Sequence, residues 1–403
     1  MATPVFKCIH AADLHLEQVC TGFDQIPIDF LDPLIDAPYL AAESIFTAAL
    51  NEEVDAVLLT GDVLSSGEYG PRSLMFLVEQ TERLAARGIS VYWALGGSDP
   101  PLRWPSAALF PETVHRLVGK YREVFHPLKN GQQLRLLGPA DQKSTVRSSD
   151  YPTAADAQIS IALGYGTASQ QALAKLDYHY WALGGVHLRE TFSRNPTMHY
   201  AGTPQGRSPA ESGPRGCTLV EIDSEGLVQT SPIVTDAVRW NTFSLSLDPD
   251  TSQESLYGMI QSQIARGIVD AASRPLLATW NIAGSGSLVR SLQKADAKKK
   301  LLEDLNAVDY GGASVWHVAV EAQPAEYPAA WYEEETILGE FLRSLRQLQN
   351  EGIDSSDWEK YLPCGNLGAQ VAARLKSEQN SDSSLAIKRA ADLGVHLLSG
   401  EDV

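Results

Sequence analysis

"DAVLLTGDVLSSGE" (residues 55–68) changes character in the middle. Ala56 to Thr60 form a short, mostly apolar run, and at Gly61 the polarity reverses. A run of that length ended by glycine predicts a strand buried on both faces. Upstream, "YLAAESIFTAALNEE" (39–53) places Leu40, Ile45, Ala49 and Leu50 at helical spacing. Downstream, "PRSLMFLVEQTERLAARG" (71–88) opens with Pro71 and closes at Gly88, the punctuation of a helix. "VFKCIH" (5–10) and "ISVYWAL" (89–95) complete a strand–helix–strand–helix–strand order. Short connections between alternating elements predict a layered α/β domain.

In such sheets, ligands bind beyond the carboxyl ends of the strands. The polar clusters "AADLHLE", "TGDVLSSGE" and "GGSDPP" all fall there. "QISIALGYG" (158–166) and "YHYWALGGVHLRE" (178–190) repeat the pattern. "HYAGTPQGRS" (199–208) and "GCTLVEIDSEG" (216–226) read as closing strands, with a turn at Ser224–Gly226. A second α+β unit follows. Strands are expected over 239–250, 274–284 and 313–322, and helices over 252–268 and 287–305. Residues 326–352 turn helical and the remaining tail is polar. These shifts divide the chain into 1–235, 236–325 and 326–403.

The 403 residues carry a net charge of −18, with 44% hydrophobic and 20% charged residues, as in ordinary soluble domains. The first segment holds 17 basic against 26 acidic residues, the second 8 against 10, the third 7 against 14. The densest basic run, Lys298–Lys300, lies in the nearly neutral middle segment and is a candidate phosphate contact. Cys8, Cys20, Cys217 and Cys364 form no C-x-x-C, which argues against a zinc ribbon or disulfide framework and suits a reducing cytoplasm. The N-terminus has no apolar signal-peptide core, and no stretch reaches the roughly 18 apolar residues of a membrane span.

Asp13 and His15 lie two residues apart just past a strand, where a carboxylate and an imidazole can reach one ion. Asp62 and His187 each follow a further strand. D-x-H, G-D and a strand-end histidine are each common alone. Their order, each after its own strand, is what points to a site. Two histidines and two aspartates suit Mn²⁺, Fe or Zn²⁺ better than Mg²⁺ or Ca²⁺.

"CIHAADLHLE", "LLTGDVLSSGE", "YWALGGSDP", "YWALGGVHLRE" and "AGTPQGRS" resemble the ordered motifs of the calcineurin-like metallophosphoesterases. Within them, "IHAADLHL" and "GTPQGR" resemble the SbcD-type DNA double-strand-break repair nucleases. The resemblance covers 5–226, and 239–322 matches more loosely the capping domain of those nucleases. It implies a four-layer β-sandwich flanked by helices, a small α+β cap and a helical C-terminal region. The implied activity is metal-dependent phosphodiester hydrolysis on DNA, with an SbcC-type ATPase as partner.

Carried over by position, one metal takes Asp13, His15, Asp62 and His187, and all four residues are present. The other shares Asp62 and needs side chains at positions where this chain has Gly97, Gly185 and Tyr165, or Gly164 if the alignment slips by one. The family's proton-handling histidine is Ser98 here. The expectation is one divalent ion, Mn²⁺ first, with the second absent. Losing an oxyanion stabiliser costs on the order of 10²–10³ in rate. Losing a general acid costs roughly 10²–10⁴.

The resemblance leaves open an impaired nuclease, an inactive homologue that binds DNA ends or a partner, and a hydrolase of small phosphate esters. Arg189 is a further candidate phosphate contact, and Asp99 a candidate turn cap. His10 is expected in packing or behind the site, and Asp177 and His179 in solvent. Ile337, Phe341, Leu342, Leu345 and Leu348 share a helical face that packs on its own domain or docks on the ATPase, and a homodimer is possible.

Overall fold

The computed structural model describes residues 4–23, 26–64, 70–99, 109–117, 122–138, 145–154, 159–324, 327, 329–351, 391, 394 and 395. Residues 65–68, Pro100, Pro101, Cys364 and nearly all of the tail beyond 351 lie outside them. The chain forms two compact units. One comprises Met1–Asn241, Ile268–Leu277 and Gly311–Trp316, the other Thr242–Gly267, Ala278–Tyr310 and His317–Val403.

The first unit opens with strand β1 (Phe6–Ala11), helix α1 (Ile28–Asn51), β2 (Ala56–Thr60), α2 (Pro71–Ala85), β3 (Ser90–Ala94) and β4 (Val114–Leu117). Next come β5 (Arg122–Pro127), β6 (Gln133–Gly138), the two-residue β7 (Thr145–Val146), β8 (Ile159–Tyr165) and the two-residue β9 (Thr167–Ala168). Short helix α3 (Gln170–Leu173) leads to β10 (Tyr180–Gly184), β11 (Glu190–Arg194), β12 (Thr197–Tyr200), β13 (Gly216–Ile222) and β14 (Val228–Val234). Two six-stranded sheets result, ordered β14-β13-β1-β2-β3-β4 and β11-β12-β10-β8-β6-β5.

Side-chain parity builds the layers. Ile9, Val57, Leu59, Val91 and Trp93 point to one face and bury against Ala42, Ile45 and Phe46 of α1 and Leu77 and Leu84 of α2. Their neighbours Cys8, Ala56, Leu58 and Tyr92 point the other way, onto Leu136, Ile161, Leu163, Tyr180 and Ala182 of the second sheet. Behind that sheet, Ala162, Trp181 and Leu183 pack on Tyr151, Leu173 and Tyr178. The order is helices, sheet, sheet, then short helical and loop segments. This is the four-layer α/β sandwich expected for a metallophosphoesterase fold.

Parallel pairing of β1 with β2 (Ala11 opposite Leu59) and of β2 with β3 (Leu59 opposite Trp93) brings three strand ends to one edge. In the second sheet, Gly184 pairs with Tyr165.

Several readings change. Helix α1 begins at Ile28, eleven residues before the periodic stretch, and contains Pro33 and Pro38. Residues 201–208 are loop, although 199–208 reads as strand. There Gly202 takes φ +74°, and the Gln205 amide donates to Gly206 O (2.8 Å) and Val238 O (2.7 Å), so side chains supply partners that a sheet would give. The expected helix over 287–305 is two, α5 (Ser287–Leu292) and α6 (Ala295–Asn306).

The second unit takes in most of β15 (Arg239–Leu247), α4 (Gln253–Ala271), β16 (Leu276–Gly284) and β17 (Val315–Pro324), together with α5 and α6. Its strands form a sheet ordered β15-β16-β17. Trp280 stacks on Phe243 at 4.9 Å and donates from Nε1 to the buried His317 Nδ1 at 2.9 Å. Helices α7 (Ala329–Glu333) and α8 (Ile337–Glu351) follow. On α8, Leu342 is fully buried and Ile337 exposed. Among the described residues, no helix is long and apolar enough to cross a membrane, and Cys8, Cys20 and Cys217 are buried free thiols.

Candidate metal centre

The loops after β1 and β2 are stitched together. Asp13 N–H donates to Gly61 O at 3.0 Å, His15 N–H to Asp62 O at 2.9 Å, and Leu16 N–H to Val63 O at 3.1 Å. Asp13, His15 and Asp62 adopt left-handed backbone, with φ of 53°, 45° and 45°. Non-glycine residues avoid this region, and such strain concentrates at working sites. The third loop is tied by Asp99, which accepts from Leu64 N–H and Gly96 N–H, both at 2.9 Å. Asp99 therefore caps its turn, as expected, and burial pushes its carboxyl up to about 6.

Asp13, His15 and His187 converge, with one ligand atom from each within 4.8 Å of the others. His15 Nε2 and His187 Nε2 face each other at 3.3 Å. Two nitrogens, each about 2.0–2.1 Å from one tetrahedral ion, would also be about 3.3 Å apart. His187 Nδ1–H donates to Glu211 Oε1 at 2.6 Å, which orients the ring with Nε2 toward His15. Glu211 also accepts from Arg207, through Nη2 at 3.1 Å and N–H at 2.8 Å. Burial alone would raise the Glu211 carboxyl, but the His187 hydrogen bond and the Arg207 charge hold it at about 2.

Burial pushes the Asp13 carboxyl up to about 7, against the pull of His187 and of the Gly185 N–H, which lies 3.0 Å from both oxygens. Burial, and then the Arg207 charge, drive the His15 imidazole down to about 3. A buried acid beside the unprotonated His15 imidazole fits a cation. Asp62 flanks the group, with Oδ2 3.9 Å from His15 Nε2. Both its oxygens are occupied, Oδ1 by Ser98 N–H and Oδ2 by the Tyr165 hydroxyl, each at 2.7 Å.

The other half of the site is filled by an aromatic ring. Tyr165 points to Asp62, whereas a side chain at Gly164 would meet Tyr151, Leu183 and Val146. A Cβ at Gly61 would lie 2.1 Å from the Tyr165 ring, one at Gly185 3.1 Å from it, and one at Gly97 3.5 Å from its hydroxyl. Three glycines thus cradle the ring. Burial, then the bond to Asp62, raises the phenol well above its ordinary range, so Tyr165 is a neutral donor here.

The remaining candidates are spread out. Arg189 lies two residues past His187 and donates to Cys217 O at 3.2 Å. In the second unit, Lys298 pairs with Glu321 at 2.9 Å, and Lys299 lies 3.8 Å from Glu303. His10 is buried between Tyr180 OH (2.7 Å) and Thr60 Oγ1 (2.8 Å). Asp177 is exposed and His179 half-buried. Glu211 is not marked in the sequence, since a glutamate in "SPAESG" carries no signal of what it will face. The presence of Arg207 four residues earlier, within "GTPQGR", was the nearest clue.

No protein-family model matches the chain. It is 27% identical over 281 residues, covering 64% of this chain and 67% of the relative, to the "uncharacterized metallophosphoesterase YhaO" of Bacillus subtilis (strain 168). A solved structure of TT1561 from Thermus thermophilus overlaps 56% of this chain and 98% of that one, at 12% identity. The TM-score is 0.34. The sandwich and this relative support a metallophosphoesterase-type fold for the chain.

Proposed function

We propose that this chain is a one-cation metallophosphoesterase of the SbcD type, acting weakly on DNA phosphodiesters. The observation that carries the reading is the asymmetry of the site. Ligand atoms of Asp13, His15 and His187 gather within 4.8 Å, while the Tyr165 hydroxyl sits on Asp62 where a second cation would need that oxygen. Asp13, His15 and His187 would hold the ion, with Asp62 beside it and Mn²⁺ the first candidate. The bound ion would polarise a phosphoryl oxygen and ease deprotonation of water. The chain's own residues orient the site. Glu211 fixes the His187 tautomer, the Gly185 N–H aims Asp13, and Ser98 N–H holds Asp62. Ser98 supplies a hydroxyl where the family has an imidazole, which removes a general acid matched to neutral pH.

The test is metal content after Mn²⁺ loading, followed by cleavage of linear duplex DNA. One ion per chain with slow cleavage abolished by Asp62→Ala is expected, and two fully occupied ions would refute the one-cation reading. The Tyr165 plug also favours a second reading, a catalytically inactive subunit that binds DNA ends or an SbcC-type ATPase. Duplex binding with no cleavage above the Asp62→Ala background would select it. In either reading the apolar face of α8 is the proposed docking element, alongside packing of its own Phe341 against Gly394.

A further inference from the structure

The loop that carries His187 has a second face. Behind it lies a pocket of about 230 Å³ whose lining includes Arg189, Thr203, Ser212, Arg215 and Gly216. Two guanidiniums meet there without a carboxylate in contact with either among the described residues. Arg215 is buried and spends its donors on carbonyls: Nη1 on His187 O at 2.6 Å, Nε on Glu211 O at 3.0 Å and Nη2 on Ser212 O at 3.3 Å. Arg189 is half-buried and uses Nη1 on Cys217 O at 3.2 Å.

The nearby acids are engaged elsewhere. Glu211 is bound to His187 and Arg207. Asp236 is bound to Arg239 and, at 3.3 Å, to Arg274. Burial pushes both guanidiniums down; at Arg215 the Glu211 charge opposes this and the Arg189 charge adds to it, and Asp236 supports both from a distance. Two like charges gathered in one sheltered pocket are unfavourable unless something balances them. In a chain of net charge −18, such a gathering is a local exception.

We propose that the Arg189–Arg215 pocket binds a phosphate-like anion. Arg189 supplies the donors, through guanidinium N–H groups with no partner among the described residues, and Arg215 adds its charge. The occupant is either free orthophosphate or a phosphate of a polynucleotide chain, which present the same oxygens. Because Arg215 and the N–H of Thr203 (3.2 Å) both hold His187 O, an anion here also bears on the backbone of a residue in the candidate metal centre.

The pocket does not depend on a metal, so the experiment uses the full chain stripped of divalent ions. Orthophosphate binding is followed by calorimetry. Saturable one-to-one binding is expected, weakened about tenfold or more by Arg189→Gln, the loss of a charged hydrogen-bond partner. Arg189→Lys, which keeps the charge and loses the fork, should fall between. Asp13→Asn, which spoils only the metal centre, should leave the binding in place. An oligonucleotide that displaces orthophosphate identifies the polynucleotide source, and failure to displace identifies the free ion. No saturable binding in the wild-type chain, or equal binding in Arg189→Gln, overturns the proposal. Neither outcome touches the one-cation reading, which is decided by metal content.

Discussion

The two halves of the site are built from the same strand ends and have opposite contents. On one side, Asp13, His15 and His187 bring ligand atoms within 4.8 Å, with Glu211 bracing the last of them. On the other, three glycines surround a tyrosine whose hydroxyl occupies Asp62. The fold delivers backbone to both sides equally well, so the contrast lies in the side chains. A strand-end loop can keep its geometry without metal-binding side chains at 97 and 98, because the turn at 96–99 is held by Asp99 and by the Ser98 N–H on Asp62.

Breaking the first half should have the largest effect. His187→Ala or Asp13→Ala should lower Mn²⁺ affinity more than about 100-fold, beyond what outer partners of a metal site cost. Competition with a chelating dye measures it. If affinity survives, the cation is held elsewhere. Glu211→Gln should cost about 10–100-fold by the same measurement, because His187 loses the partner that fixes its tautomer.

Breaking the second half changes a count. Tyr165→His with Gly97→Asn and Gly185→His should raise metal content from one ion to two. It should also lower the Tm, since Gly185 has φ +87° and a Cβ there would lie 2.8 Å from Gly166 N. Content that stays at one would mean that the glycine cradle is not what excludes the second ion. Tyr165→Phe alone removes a hydrogen bond to a carboxylate and should cost about 1.5–3 kcal/mol of stability in chemical denaturation, with metal content unchanged.

The smallest effect separates the site from the sandwich behind it. His199 is buried between Thr191 and Thr218, and burial, then Arg189, lower its imidazole to about 4. A histidine depressed in the folded state binds fewer protons there than when unfolded. Its contribution is whole above about pH 6.5 and is lost as pH falls from there toward 4. His199→Gln should remove roughly 1 kcal/mol of acid destabilisation at pH 5.5. The removal should be the same with and without Mn²⁺. A difference on adding Mn²⁺ would show that the interior and the metal centre are coupled.

What the sequence disclosed follows the same division. Runs such as Ala56–Thr60 are legible because both faces of the strand are buried, and Asp13, His15, Asp62 and His187 because each follows such a run. The first half of α1 was hidden by Pro33 and Pro38, which argue locally against a helix that tertiary packing accepts. The Glu211 brace was invisible because it depends on a loop meeting a strand end 24 residues away. Tyr165 was readable as an absent histidine. That it reaches Asp62 follows from the pairing of β8 with β10, which no local pattern encodes.

The left-handed turns at Asp13, His15 and Asp62 carry a further consequence. Each is a position where glycine would relax the backbone by roughly 1–3 kcal/mol, and drift toward stability alone would favour that exchange. In the half that Tyr165 fills, the left-handed residue 185 is a glycine (φ +87°), whereas in the half that converges Asp13 and His15 carry that backbone on candidate ligand side chains. The same left-handed backbone is thus carried without a side chain in one half and with metal-binding side-chain types in the other, at a cost in strain that only the second bears.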